Sequence, residues 1–157
     1  MMMVAADKHA VIVWKTGMIV KQGDAMTGET NLQKLLKEMH PHLHPGEYVY
    51  CTVASKKEAF ELDPLCMFEE EERVTVILLR ERANALGLPY SSTLSWITLT
   101  VHSSLEAVGL TAAFASALGR ADISCNVVAA FYHDHIFVPT KDATRAMDVL
   151  YKLAEAA

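Results

Sequence analysis

Histidines are the side chains of this 157-residue chain whose types and spacing most directly suggest chemistry. They form two groups, which are His40, His42 and His44, and His133 with His135. Residues two apart on a strand point to the same face, so either group could chelate zinc. No cysteine or carboxylate lies at a recognised metal-ligand spacing from them, and the neighbouring prolines and Asp134 are typical of turns. Metal binding is therefore kept only as an alternative, and neither a metal site nor a cofactor is predicted.

A second kind of chemistry, the binding of an anion, is suggested by the segment that follows Val101. Ser103 and Glu106 have the spacing of a capping box, which leaves backbone N–H groups free at the start of a helix. Such a helix start attracts carboxylate or phosphate. Asn126 lies on a later apolar strand, and its amide could bind the ammonium or the carboxylate of a ligand. A plain helix cap and an amide bonded within the protein remain the alternative interpretations.

Nucleophilic catalysis has weaker support. Cys51 and Cys125 could each pair with His102 as a base, but both thiols lie in the middle of predicted strands, where they are usually inert. The sequence contains no phosphate-binding glycine loop, no GxSxG and no HExxH. We therefore predict that the protein is not an enzyme. Three cysteines without a CxxC pair indicate a reducing compartment, so a cytoplasmic location is predicted.

Composition restricts the partners. Hydrophobic residues make up 52% of the chain and charged residues 21%, which excludes a disordered protein. A net charge of −5 with only 14 Lys and Arg argues against binding to a nucleic-acid backbone. The uncharged stretch Ile123–His133 is shorter than the roughly 20 residues of a membrane span. We predict neither nucleic acid nor membrane as a partner, and the excess of apolar residues suggests association with a second chain.

The elements of the first half follow from apolar spacing and from turn residues. In order, the pattern predicts a helix capped by Thr30 and continuing to Met39, a loop over His40–Gly46, a strand at Tyr48–Val53, a solvated acidic connection over Lys56–Arg73, a strand at Val74–Leu79 and a short helix over Glu81–Leu86. Residues 1–25 are expected to be either an edge hairpin or an extension that precedes a natural start at Met26.

The second half repeats this order with stronger signals. It predicts a strand at Leu94–Val101, a helix with an apolar stripe from Leu110 to Leu118, a strand at Ile123–Phe131, a turn at His133-Asp134, a strand at Ile136–Val138 and a helix opened by Pro139-Thr140. The order β-α-β-β-α is the ferredoxin-like plan without its last strand. We therefore predict an α+β fold of two ferredoxin-like units in tandem, at 26–88 and 92–157, with antiparallel sheets covered by helices on one face.

Two stretches of the second half resemble a family of bacterial ACT-like proteins, formerly a domain of unknown function. They are residues 101–113, VHSSLEAVGLTAA, and residues 123–139, ISCNVVAAFYHDHIFVP. Shorter stretches of the first half, at 28–30, 46–49 and 51–53, resemble the family as well. The resemblance extends from about Met26 to the C-terminus and implies a tandem of two ACT-like units.

What the resemblance implies about function is a regulatory module that binds an amino acid or a related small molecule. In ACT domains the ligand lies where the loop from the first strand to the first helix meets the start of the next strand, across an interface between paired domains. Carried to this sequence, these positions are His102, Ser103, Ser104, Val108, Gly109, Leu110, Asn126 and Val127. The resemblance also implies a homodimer. The alternative is a structural or oligomerisation protein whose pocket is vestigial.

Overall fold

The structure is a computed structural model that describes residues 28–101 and 107–157. In chain order its elements are α1 (Leu32–Lys37), β1 (Pro41–Leu43), β2 (Tyr48–Val53), α2 (Lys56–Glu61), β3 (Cys66–Glu69), β4 (Val74–Leu79), α3 (Arg80–Ala85), β5 (Leu94–Leu99), α4 (Leu110–Arg120), β6 (Asn126–Ala129), β7 (Asp134–Pro139) and α5 (Ala143–Glu155). A short 3-10 helix, Thr140–Asp142, leads into α5. Within the described ranges, no helix has the length and hydropathy needed to span a membrane.

The described residues form two compact units. Unit 1 holds Val49–Ser91, whereas unit 2 holds 28–48 together with the described part of Ser92–Ala157. The helix α1 and the strand β1 therefore belong to unit 2, although they precede unit 1 in the chain. The division of the sequence into domains at 26–88 and 92–157 stays a prediction. The α+β fold with antiparallel strands and helices on one face is confirmed in each unit.

Unit 1 has the strand order β3-β4-β2. Strands β3 and β4 pair antiparallel, from Cys66 opposite Ile77 to Glu69 opposite Val74. Alternate residues of β4 point to the same face of the sheet. They form one core with alternate residues of β2 and with the helices α2 and α3, made of Val49, Cys51, Val53, Ala59, Leu62, Met67, Val74, Val76, Leu78 and Ala83.

Unit 2 is built around β5, which pairs antiparallel with β1 and with β7. Strand β6 pairs antiparallel with the other side of β7. The core lies between this sheet and the helices α1, α4 and α5, and its fully buried members include Leu35, Ile97, Leu99, Phe114, Leu118, Ile136, Val138, Ala146 and Leu150. The four strand residues in this list alternate along β5 and β7, so one face of the sheet carries the helices.

Several predicted elements are confirmed, and others need correction. The strands Tyr48–Val53 and Val74–Leu79 have the predicted bounds. The first helix is capped by Asn31 rather than Thr30, because the Asn31 side chain accepts a hydrogen bond from the Lys34 N–H at 3.0 Å. The predicted loop over His40–Gly46 contains the strand β1, which tolerates proline because it lies on an edge.

The predicted acidic connection Lys56–Arg73 contains the helix α2 and the strand β3. Its charges lie on exposed positions, and Ala59, Leu62, Cys66 and Met67 between them are buried, whereas Phe60 is exposed. The strand predicted at Ile123–Phe131 is confined to Asn126–Ala129. The turn predicted at His133-Asp134 lies earlier, between Ala130 and His133, because Asp134 already pairs with Ala129 as the first residue of β7.

Candidate functional site

The candidate site lies at one edge of the unit 2 sheet, where β5 ends and α4 begins. Leu99 closes β5 opposite Asp134, and Asp134 lies opposite Ala129 at the end of β6. The His133 ring joins the turn to this edge, with Nδ1 3.3 Å from the carbonyl oxygen of Val101. We call residues 99–101, 107–110 and 129–134 the α4 edge. It is the end of the sheet at which β5 and β6 finish and β7 begins, and the start of α4 follows it in the chain.

The helix α4 begins without a side-chain cap. Its N-cap is Gly109, whose φ of +104° lies in the left-handed region that favours glycine. A Cβ at this position would lie 3.0 Å from Cδ2 of Leu32 on α1, so the neighbouring helix also restricts the residue. Glycine offers no side-chain oxygen to the N–H groups of the first turn, and that turn contains no acidic residue. This helix start therefore keeps its partial positive charge.

The capping box predicted at Ser103 and Glu106 does not begin α4, because the helix starts at Leu110 with Gly109 as its cap. Ser103 and Glu106 lie outside the described residues, as do His102 and Ser104. The helix start that was expected near the serines therefore lies at Gly109, and anion binding there stays a prediction.

Asp134 is the functional candidate that sequence reasoning missed. It is only 7% exposed, and alternation along β7 places its side chain on the helix-covered face with Ile136 and Val138. Burial raises the pKa of the Asp134 carboxyl, although the neighbouring His133 partly opposes this. Among the described residues, its carboxylate has no hydrogen bond or ion pair. Burying a carboxylate without a hydrogen-bond partner costs free energy, which makes Asp134 a candidate for binding a cationic group of a ligand.

The spacing of Asp134 from later residues indicates that it faces the core, but its residue type favoured a turn. The residue stands two before Ile136 and four before Val138, so it continues the core-facing side of the strand. Asp is also a common turn residue, and the hairpin prediction absorbed it.

The predicted site residues fall into two separated groups. Val108, Gly109 and Leu110 lie at the α4 edge, whereas Asn126 and Val127 begin β6. Because β5 and β6 both run antiparallel to β7, they share one direction, and the start of β6 is at the opposite edge from the end of β5. The 11 residues of α4 span about 16 Å between these edges.

Asn126 also lies on the other face of the sheet. It is paired with Phe137, so both side chains leave the face that carries the helices, and the Asn126 Nδ2 donates to the Phe137 carbonyl oxygen at 3.4 Å. One copy of unit 2 therefore does not bring Asn126 and Gly109 together.

Two of the histidines form a polar network on the face without helices. The His44 ring stacks on Trp96 with 3.5 Å between centroids, and its Nε2 is 2.7 Å from Oγ1 of Thr98. Trp96 Nε1 donates to Nδ1 of His135 at 3.1 Å. Since an indole N–H can only donate, Nδ1 accepts and this hydrogen bond requires a His135 without a proton on Nδ1. Burial lowers the pKa of both His44 and His135 to about 4.

This network gives His44 and His135 a structural role in packing. Within the described ranges, no three potential ligands converge on a position that could hold a metal ion. The candidate nucleophiles are unsuited to attack, because burial raises the pKa of the Cys51 and Cys125 thiols.

Comparison with known proteins identifies the family. One ACT domain model matches residues 27–95, and a second matches residues 91–152. No curated protein is similar enough in sequence to match the chain. A solved structure of a Vibrio cholerae protein of unknown function, described as a possible transport protein, is 48% identical and has a TM-score of 0.73. That match covers 78% of this chain and 95% of the Vibrio chain.

Aspartate kinases share the fold at low identity. The Clostridium acetobutylicum aspartate kinase is 7% identical with a TM-score of 0.56, and the match covers 73% of this chain and 34% of the kinase. Escherichia coli aspartokinase III, solved with aspartate and ADP, is 12% identical with a TM-score of 0.56, covering 72% of this chain and 32% of the kinase. The chain thus spans about a third of each kinase. The predicted family is confirmed: this chain belongs to the ACT domain family, as a tandem of two domains that are regulatory modules of the kind that binds small molecules.

Proposed function

We propose that the protein is a cytoplasmic sensor of a free amino acid, without catalytic activity, and that the ligand binds at the α4 edge of unit 2. The observation that carries the proposal is Asp134, a largely buried carboxylate without a described hydrogen bond, at the end of the sheet from which the chain continues to the uncapped helix α4. An amino acid carries one negative and one positive group a short distance apart. The α4 edge offers the complement of both.

The carboxylate of the ligand would bind the backbone N–H groups that follow Gly109, where the partial positive charge of α4 is greatest. Its ammonium would bind the Asp134 carboxylate. That ion pair offsets the cost of burying Asp134, which is why the ligand stabilises the folded chain. His102, Ser103 and Ser104 remain proposed as further contacts from the connecting loop, next to Val108 and Leu110.

A second copy of the chain would complete the site. Strand β6 is the outermost strand of the sheet, and its described strand partner is β7 alone. If β6 pairs antiparallel with β6 of a second copy, the start of the partner's strand moves next to the α4 edge. This pairing would supply Asn126 and Val127 from the other copy, and it is the basis on which we propose a homodimer. Ligand binding would then shift the packing of two copies through its unequal affinity for two states.

Thermal melting against the twenty amino acids tests the proposal. A ligand at 100 times its Kd adds about 2.7 kcal/mol, which corresponds to roughly 5–10 °C in Tm for a chain of this size. The Asp134→Asn variant should lose the shift, whereas Asp148→Asn, on the exposed side of α5, should keep it. Flat melts for the whole panel would contradict the sensor proposal and favour the structural alternative.

Mixing two defective variants tests whether the site is shared between copies. Asp134→Asn and Asn126→Ala each damage a different half of the proposed site. In a mixed dimer, one site combines both defects and the other combines the two intact halves. Ligand binding should therefore return to about one site per mixed dimer in calorimetric titration. If mixing restores nothing while the mixed dimer forms, the site is not built from two copies.

A further inference from the structure

We infer that the amino acid sensed at the α4 edge has an apolar side chain, and that Phe131 and Val108 select it. This inference rests on the proposed function and adds the class of ligand. Phe131 lies in the turn between β6 and β7 and is 58% exposed, and Val108 immediately precedes the N-cap Gly109 and is 84% exposed. Both flank the edge at which Asp134 is buried.

Val108 and Phe131 are the most exposed of the large apolar side chains described in unit 2, ahead of Tyr151 at 46%, Tyr132 at 39% and Leu43 at 38%. The Phe131 ring packs edge-on against Tyr132, with 4.9 Å between centroids, so the turn presents a preformed aromatic surface. An apolar ligand side chain that covers this surface would remove apolar area from water on both partners. A polar side chain would gain nothing there.

Charge at the same edge favours an uncharged side chain. Among the described residues of the α4 edge, Asp134 is the one carboxylate, and there is no lysine or arginine. The ligand's ammonium uses Asp134, so a basic side chain would find no second acceptor charge among these residues. An acidic side chain would face Asp134 itself, and like charges repel at this range.

The fold does not dictate this apolar turn. In unit 1, the turn between β3 and β4 occupies the same place in the element order and consists of Glu70, Glu71, Glu72 and Arg73. A charged turn is therefore compatible with this hairpin. The apolar residues Ala130, Phe131 and Tyr132 of unit 2 are a property of the site rather than of the hairpin.

Calorimetric titration with three groups of amino acids tests the inference. Leucine, isoleucine, methionine and phenylalanine should bind at least about tenfold more tightly than glycine, since apolar contacts of this size discriminate by roughly that factor. They should also bind more tightly than lysine, arginine, aspartate and glutamate. Phe131→Ala and Val108→Ala should each reduce the preference over glycine severalfold while the affinity for glycine stays the same.

Phe60→Ala is the matched control, because Phe60 is 54% exposed in unit 1, away from the α4 edge in sequence and in unit. It should leave all affinities unchanged. Tightest binding of lysine or arginine would overturn the inference, leave the amino-acid sensor standing, and direct attention to Glu106 in the connecting loop. Loss of self-association in Phe131→Ala with unchanged ligand preference would also overturn it. Absence of binding to any amino acid would instead contradict the proposed function.

Discussion

The two units use one arrangement of strands and helices, but they differ at the first residue of their last strand, which is β4 in unit 1 and β7 in unit 2. In unit 1 that residue is Val74, opposite Glu69, and in unit 2 it is Asp134, opposite Ala129. Val74 is 4% exposed and belongs to the core, so the fold accepts a valine there. Asp134 is as deeply buried and carries a carboxyl group. The comparison shows that the buried charge of unit 2 is not needed to form the fold.

The two units differ in the same way at the helix that follows their first strand. In unit 1, Oγ of Ser55 accepts from the Glu58 N–H at 3.2 Å, and Oε2 of Glu58 accepts from the Ala54 N–H at 2.9 Å. The pair resembles a capping box, except that the Glu58 side chain binds the N–H of the residue before the N-cap Ser55. In unit 2 the corresponding helix begins with Gly109 and has no side-chain cap.

The cleft beside the unit 1 cap has a volume of about 440 Å³ and is lined by 54–57 and 69–74. Two of its charged side chains pair with each other, with Nζ of Lys56 and Oε2 of Glu69 2.6 Å apart. Unit 1 therefore has a capped helix start at this position, whereas the helix start of unit 2 has no side-chain cap. The following predictions test this contrast, beginning with the largest expected effect on the free energy of unfolding.

Val74→Asp should lower the free energy of unfolding by about 3–5 kcal/mol, because it buries a carboxylate in the unit 1 core without a partner. Urea denaturation measures the loss. Thr52→Asp, at an exposed position of β2, is the control and should cost about 1 kcal/mol or less. The variant should bind no amino acid in unit 1, because Ser55 already caps α2. A loss as small as that of the control would mean that this position tolerates a charge in either unit.

Acid should weaken unit 2 through His44 and His135. The pKa of each is about 4 in the folded chain, below the usual 6.5 of the unfolded chain. The contribution of the two neutral rings to the free energy of unfolding is therefore present above about pH 6.5 and is lost as the pH falls through 4. Because both rings are partly exposed, we expect a total loss on the order of 2 kcal/mol.

Trp96 reports this acid transition, because protonation of Nδ1 on His135 breaks its hydrogen bond from the indole. Fluorescence in a Trp14→Phe background should change between pH 6.5 and 4. His135→Phe should flatten the response, whereas His40→Gln should not, since that side chain is exposed and takes no part in the network. Residues 49–91 contain no histidine, so a transition of equal size in unit 1 would contradict the assignment.

How far the sequence predicted the molecule depended on how local each signal was. Tyr48–Val53 and Val74–Leu79 are runs of β-branched and apolar residues, and their bounds were predicted correctly. The strand β3 was missed because Glu69 and the charges after it conceal a short buried segment. Predicting β1 would have required knowledge that it pairs with β5 about 56 residues later in the chain.

The site was less predictable than the fold. The helix start was predicted at Ser103 and lies at Gly109 instead, and the sequence does not reveal that β5 and β6 share one direction. That direction places Asn126 at the opposite edge. Asp134 is a turn residue by type and a core-facing residue by position, and only the observed pairing with Leu99 distinguishes these interpretations.

Gly109→Ala should lower the free energy of unfolding by about 2 kcal/mol. The φ of +104° at this residue is unfavourable for alanine, and the added Cβ would lie 3.0 Å from Leu32. Gly87→Ala is the control, since its φ of +65° is also left-handed but a Cβ there has nothing within 4 Å. It should cost about 1 kcal/mol. Melting curves should therefore show roughly twice the decrease in Tm for Gly109→Ala. Equal decreases would mean that α1 does not restrict the start of α4.

Asp134→Val places in unit 2 the valine that unit 1 has at Val74, and it should give the smallest change in the free energy of unfolding among these predictions. We expect the free energy of unfolding at neutral pH to rise by about 1 kcal/mol, because a buried, unpaired carboxylate is removed. Binding of the amino acid should be lost in the same variant. Most substitutions of buried residues destabilise, so a gain in stability together with a loss of binding would be specific to a residue kept for its ligand.

The pH dependence of that gain separates a ligand-binding carboxyl from a structural one. Burial raises the pKa of Asp134 in the folded chain above its unfolded value near 3.8, so ionisation destabilises the fold. The favourable contribution of the protonated form is present below the unfolded pKa and is lost as the pH rises through the folded pKa. The advantage of Asp134→Val should therefore be smallest near pH 4 and grow towards neutral pH. If the variant is instead less stable at neutral pH, the carboxylate stabilises unit 2 without a ligand, and the contrast with Val74 no longer identifies a binding site.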